Sequence, residues 1–137
     1  MKLLNGNTEI EVTINVPTRT ARKELNKLDK KQGEEFQKLN TDYKDVVAYY
    51  QMDEIKRTAA ILANPELSKR TFDYKDAVED ITDKFNIEKF QVIIRQDKLK
   101  DADRELVLSK PEHEFWDAQD TKAVREAVES FRTGYTA

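Results

Sequence analysis

Lys2-Leu3-Leu4-Asn5-Gly6-Asn7-Thr8-Glu9-Ile10-Glu11-Val12-Thr13-Ile14-Asn15-Val16-Pro17-Thr18 is the stretch that decides the fold. Ile10, Val12, Ile14 and Val16 alternate with Glu9, Glu11, Thr13 and Asn15. A period of two means a strand with one face buried and one wet. The Asn5-Gly6 pair suits a type I′ turn, because both central residues of that turn need positive φ. The reading is therefore a hairpin over residues 1–16, with an acidic and polar wet face that discourages edge-to-edge pairing. A two-stranded ribbon is not stable alone, so its apolar face must rest on helices. Pro17 ends the strand, since it cannot donate to a ladder, and Thr18 offers a hydroxyl to cap a helix.

Downstream of Thr18 the apolar period changes to that of helices. Ala21, Leu25, Leu28, Phe36 and Leu39 fall near one stripe, while Arg19, Arg22, Lys23, Lys27, Lys30 and Lys31 form a basic face. Gly33 interrupts this pattern at a cost of ~1 kcal/mol against Ala, so a bend, fray or break is expected over 30–34. Asn40-Thr41-Asp42 signals a fresh start, and Tyr43, Val46, Val47, Tyr50, Ile55, Ala59 and Leu62 continue as the longest apolar helix. Asn64-Pro65 ends it, and residues 66–71 read as a connector. Asp73 opens the next helix, with Tyr74, Ala77, Val78, Ile81 and Phe85 as its stripe and Asn86 as its end. Residues 87–96 fit a helix through Ile87, Phe90, Ile93 and Ile94, or a strand through Phe90, Val92 and Ile94. A short helix follows over 101–108, then a break at Lys110-Pro111 and a turn or two around Phe115 and Trp116. Asp120 caps the last helix, whose stripe is Val124, Ala127, Val128 and Phe131, with Gly134 as its C-cap.

The expected fold class is α+β and predominantly helical: an N-terminal β-hairpin packed on a small bundle of about four to six helices. The 137 residues fit a single domain, with the hairpin over 1–16, a long and broken helical region over 18–63, and C-terminal helices over 73–132. Charged residues make up 37% and apolar residues 38%, a surface-rich balance with a thin core. A small core of this kind favours completion by association, so self-association is expected.

Composition also limits the chemistry. No run approaches the ~18 apolar residues of a membrane span, and no apolar h-region marks a signal peptide. With no Cys there is no disulfide, thiolate zinc site or Cys nucleophile, and the one His, His113, lacks partners for a metal site. The acids Asp73, Asp76, Glu79, Asp80 and Asp83 lack the alternation and central Gly of an EF-hand, and read as a solvated helix face. Neither a phosphate loop nor a nucleophile elbow is present. An enzyme is therefore not expected, nor a cofactor or metal. The Arg19–Lys31 face offers phosphate contacts, but the net charge is −3 and no aromatic residue interleaves over 19–31. Charge is split along the chain: residues 19–40 carry a net +3 and residues 101–131 a net −5. Such polarity fits contact between ends of one molecule or between neighbours.

The layout resembles the tail assembly chaperones of long-tailed bacteriophages and prophages. The resemblance is carried by Glu9-Ile10-Glu11-Val12-Thr13-Ile14 running through Val16-Pro17-Thr18 into a helix, and by Glu114-Phe115-Trp116-Asp117-Ala118-Gln119-Asp120 before a final amphipathic helix. It implies a non-catalytic role in the host bacterial cytoplasm: binding the tape measure protein and keeping it soluble until the tail tube protein polymerises around it. Tail tube protein is then a second partner. Candidate partner-binding residues are Leu25, Leu28, Phe36 and Leu39 on the N-terminal helix, Tyr49 and Tyr50, and the aromatic pair Phe115 and Trp116. Each of these also has a packing reading, which is the stronger one for Phe115 and Trp116. The alternatives are another phage or bacterial structural or adaptor protein, and a nucleic-acid-binding regulator using the Arg19–Lys31 face.

Overall fold

The computed structural model describes residues 1–136, with side chains described through residue 134. The chain is predominantly helical α+β with an N-terminal two-stranded hairpin, as expected. Its elements are β1 (Lys2–Asn5), β2 (Thr8–Glu11), α1 (Arg19–Asp42), α2 (Lys44–Tyr50), α3 (Glu54–Ala63), α4 (Glu66–Ile93), a 3-10 turn (Gln96–Lys98), α5 (Asp101–Val107), α6 (Glu114–Asp117) and α7 (Thr121–Thr136). They form two compact units, with the division falling inside α1 and inside α4. The first is Met1–Lys30 with the chain from Asp83 onward, and the second is Lys31–Thr82.

In the first unit β1 and β2 pair antiparallel, with Leu3 opposite Ile10 and Leu4 opposite Glu9. The loop is Gly6-Asn7, and Gly6 alone takes positive φ, at 60°. That is the pattern of a II′ turn, with Gly at the first central position, rather than the expected I′ turn at Asn5-Gly6. Regular pairing stops at Glu11, earlier than Val16. Ile14 instead forms a single antiparallel bridge with Ile94, where Asn15 N–H donates to Ile93 at 2.8 Å and Arg95 N–H to Thr13 at 2.8 Å. Val16 is exposed, because Pro17 follows and the chain turns into α1. The open alternative at 87–96 thus resolves as both: helix to Ile93, then one extended bridge.

The alternation otherwise does its work. Leu3, Ile10 and Val12 are buried against Leu25 of α1, Phe90 and Ile93 of α4, Val107 of α5 and Val124 and Val128 of α7. Phe90 is fully buried and meets Trp116 edge-on, with ring centroids 6.2 Å apart. The Trp116 Nε1–H donates to the Ser109 carbonyl at 3.2 Å, which satisfies the one polar atom of a buried indole. Asp29 of α1 receives Lys89 of α4 at 2.8 Å and Arg132 of α7 at 2.9 Å, an ionic tie beside the apolar core.

The second unit is built differently. Val46 and Leu67 are its only buried hydrophobic side chains among the described residues. Tyr43, Tyr50 and Tyr74 pack ring against ring at 5.7 and 6.2 Å. The Tyr74 hydroxyl donates to Asn40 Oδ1 at 2.7 Å. Arg70 lies over the Tyr43 ring at 4.6 Å and forks onto Asp45 at 2.7 and 2.9 Å. It also caps the end of α1 through the Asp42 carbonyl at 3.0 Å. Arg57 does the same for α2, donating to the Tyr49 and Tyr50 carbonyls at 3.3 and 2.6 Å.

Several helix boundaries differ from the expected ones. α1 runs through Gly33 without a break: one glycine costs ~1 kcal/mol, and a 24-residue helix carries it. The apolar helix over 43–62 is two helices, parted at Gln51–Asp53, where the Asp53 carboxylate accepts from Lys56 N–H at 2.8 Å and starts α3. Residues 66–71 are helix, and neither Asp73 nor Asn86 interrupts α4, a single helix of 28 residues. α7 continues past Gly134 instead of being capped by it. The split of α2 from α3 and the one-turn α6 bring the helix number to seven over the described residues.

Candidate functional site

Three of the eight expected partner contacts are core. Leu25, Phe115 and Trp116 are 0%, 7% and 3% exposed, all in the first unit. Phe115 and Trp116 pack edge-on at 5.1 Å, and Trp116 sits on Phe90. All three side chains are packed inside the unit, so their burial supports the packing reading. Leu28, Phe36 and Leu39 are half-buried along α1. Tyr49 is half-buried beneath Arg57, 5.8 Å above its ring, and Tyr50 is partly exposed. The eight residues divide between the two units.

The apolar surface that is exposed lies elsewhere, on α3. Ile55 is 84% exposed and Leu62 78%, with Ala59 exposed between them. Steps of four and three put the three residues on one helical face. No residue of α3 is buried, and its Arg57, Ala60 and Ile61 are only half-buried. The helix is held at its start by the Asp53 cap and by Arg57 gripping the end of α2. It ends before Pro65 with Asn64 extended. The sequence did contain a signal for this face. At 3.6 residues per turn, Ile55, Ala59 and Leu62 sit about 140° around from Tyr43, Val46, Val47 and Tyr50. Read as one stripe, the two groups hid that difference in phase. Phe72 of α4, in the same unit, is also 64% exposed and was not singled out by its spacing.

His113 Nδ1 accepts the Phe115 N–H at 3.0 Å, so this nitrogen caps α6. Among the described residues no three His, Asp or Glu side chains converge as metal ligands. Asp73, Asp76, Glu79 and Asp80 are exposed along α4. A cleft of about 530 Å³ in the first unit is lined by Val16, Thr18, Ala21, Glu24, Val92, Arg95 and Asp97. Its cation is committed: the Arg95 guanidinium hydrogen-bonds Asp97 and holds that carboxyl below the usual carboxylate range. Arg19, Lys23, Lys27 and Lys30 remain exposed on α1, with Lys27 3.5 Å from Glu24. No described helix is long and apolar enough to cross a membrane. No protein-family model matches the chain, and comparisons with curated proteins and with solved structures return no match.

Proposed function

We propose that this chain is a non-catalytic protein-binding factor, and that it acts as a tail assembly chaperone that keeps a tape measure protein soluble in the host bacterial cytoplasm. The observation that carries the reading is the α3 face, where Ile55 and Leu62 stand in solvent on a helix with no buried residue. An exposed apolar stripe on an amphipathic helix is the kind of surface that takes another helix at i, i+4 and i+7 anchors. A tape measure protein, long, helical and prone to aggregate, offers many such helices. The high charge of the rest of the chain keeps such a complex dispersed. Tail tube protein is the second partner in this reading, and self-association competes for the same apolar face.

Co-expression tests it. A tape measure fragment should stay in the supernatant with the wild-type chain and pellet with the Ile55→Glu/Leu62→Glu variant. Equal precipitation with and without the wild-type chain contradicts the proposal. A second reading, a nucleic-acid-binding regulator, draws on the exposed Arg19, Lys23, Lys27 and Lys30. It requires a mobility shift at low salt that Lys27→Glu and Lys30→Glu together weaken.

A further inference from the structure

The two edges of the hairpin are treated differently. Met1 and Val12 exchange hydrogen bonds, Val12 N–H to the Met1 carbonyl at 2.8 Å and the Met1 amino group to the Val12 carbonyl at 3.2 Å. With the register known, the bonded pairs alternate, so Leu4 and Glu9 face each other in a non-bonded pair and turn their N–H and C=O groups outward. On the β1 edge those groups are taken. Leu4 N–H donates to Gln119 Oε1 at 2.8 Å, and Gln119 Nε2 donates to the Leu4 carbonyl at 2.7 Å. A side-chain amide there stands in for a neighbouring strand.

The β2 edge carries no such cap. By the same alternation Glu9 and Glu11 direct their backbone groups outward, and among the described residues no partner meets them. Just beyond, the same edge of the chain is already in use. The Thr13 carbonyl and Asn15 N–H bond to Arg95 and Ile93, so a short third strand begins there and stops. The edge is open for the length of two outward residues.

We propose that this edge receives an extended basic segment of a partner protein, which adds a third strand beside β2. Charge selects the occupant. Glu9 and Glu11 project from the solvent face, 54% and 63% exposed, and each uses one oxygen in a surface pair, with Lys2 at 3.4 Å and the amino terminus at 3.2 Å. Surface pairs of this kind are weak and exchange readily. A second copy of β2 is disfavoured, because antiparallel pairing about Ile10 sets Glu9 opposite Glu11 of the other copy, and like charges directly opposite repel. A strand with Lys or Arg at alternate positions converts that repulsion into attraction, while its backbone takes the four outward groups. This proposal does not rest on the α3 face.

The test is fluorescence anisotropy of a labelled alternating Lys-Val peptide titrated with the intact chain, beside a Glu-Val peptide and a Lys-Val peptide N-methylated at alternate residues. The Lys-Val peptide should bind, and the other two should not. Glu9→Lys/Glu11→Lys should weaken Lys-Val binding at least about tenfold and admit the Glu-Val peptide. Both side chains are exposed, and a circular dichroism spectrum like that of wild type verifies the fold of the variant. Equal binding of the N-methylated peptide would reduce the effect to charge attraction and overturn strand addition. No binding at low salt overturns the proposal, and so does a chain dimer abolished by Glu11→Pro.

Discussion

The two units of this chain solve the same problem with different material. The first buries Leu3, Ile10, Val12, Leu25, Phe90, Ile93, Trp116, Val124 and Val128 in one continuous cluster. The second buries Val46 and Leu67, and otherwise relies on tilted tyrosine ring contacts and on two arginines that cap helix ends. It also leaves Ile55, Leu62 and Phe72 in water. Stability follows buried apolar area, so the first unit carries most of the folding free energy. What the second unit gives up in burial it retains as surface, and that surface is where a partner has apolar area left to cover.

The core of the first unit is the most sensitive to substitution. Phe90→Ala removes a fully buried ring from beneath Trp116 and should cost about 4 kcal/mol by urea unfolding. A loss under about 1 kcal/mol would mean that the cluster is not the main source of stability. Gly33→Ala sharpens the account of the second unit. Nothing lies within 4 Å of the added Cβ and the φ is ordinary, so the substitution should stabilise by about 0.5–1 kcal/mol. A destabilisation would show that α1 needs a weak point there. Ile55→Glu with Leu62→Glu should leave the unfolding free energy within about 0.5 kcal/mol of wild type, since both side chains are already in solvent. A larger loss would place them in a core rather than on a face.

The smallest effect is electrostatic. The Arg70 guanidinium, hydrogen-bonded to Asp45, holds that carboxyl below its ordinary value of 3.8. The folded value being the lower one, this contribution is fully present above the ordinary value and is lost as pH falls through the depressed one. Tyrosine fluorescence of Asp45→Asn against wild type should therefore show a small difference in stability at pH 6 that narrows below about pH 4. Because the pair is exposed, added salt should shrink it as well. A difference that persists unchanged at low pH would assign it to packing around Tyr43.

Much of this fold was legible in the residues. Asn5-Gly6 and the alternation from Glu9 announced the hairpin, and the cap at Asp120 announced α7. The failures share a cause: local signals outweighed by context. Asp73 and Asn86 are good capping residues, yet α4 passes through both, because a capping side chain that finds no helix start to serve simply rides on the helix. Asp53 was a true cap, followed by Glu54 in the first turn, but it was masked by apolar residues on either side. The candidate surface was lost in the same place. Without the break at Gln51–Asp53, Ile55, Ala59 and Leu62 merged into the stripe of Tyr43 and Tyr50 as one apolar helix. Phe115 and Trp116 were ambiguous by type, since buried anchors and interface hot spots draw on the same aromatic residues. Only their burial separates the two.

The central claim is that the second unit carries the partner surface on α3. Hydrogen–deuterium exchange of the chain with and without a soluble tape measure fragment tests it most directly. Slow exchange is expected in residues 83–93 in either state, faster exchange in residues 54–63 of the free chain, and a clear slowing there when the fragment is added. Protection that changes only in the first unit, or nowhere along the chain, would contradict it.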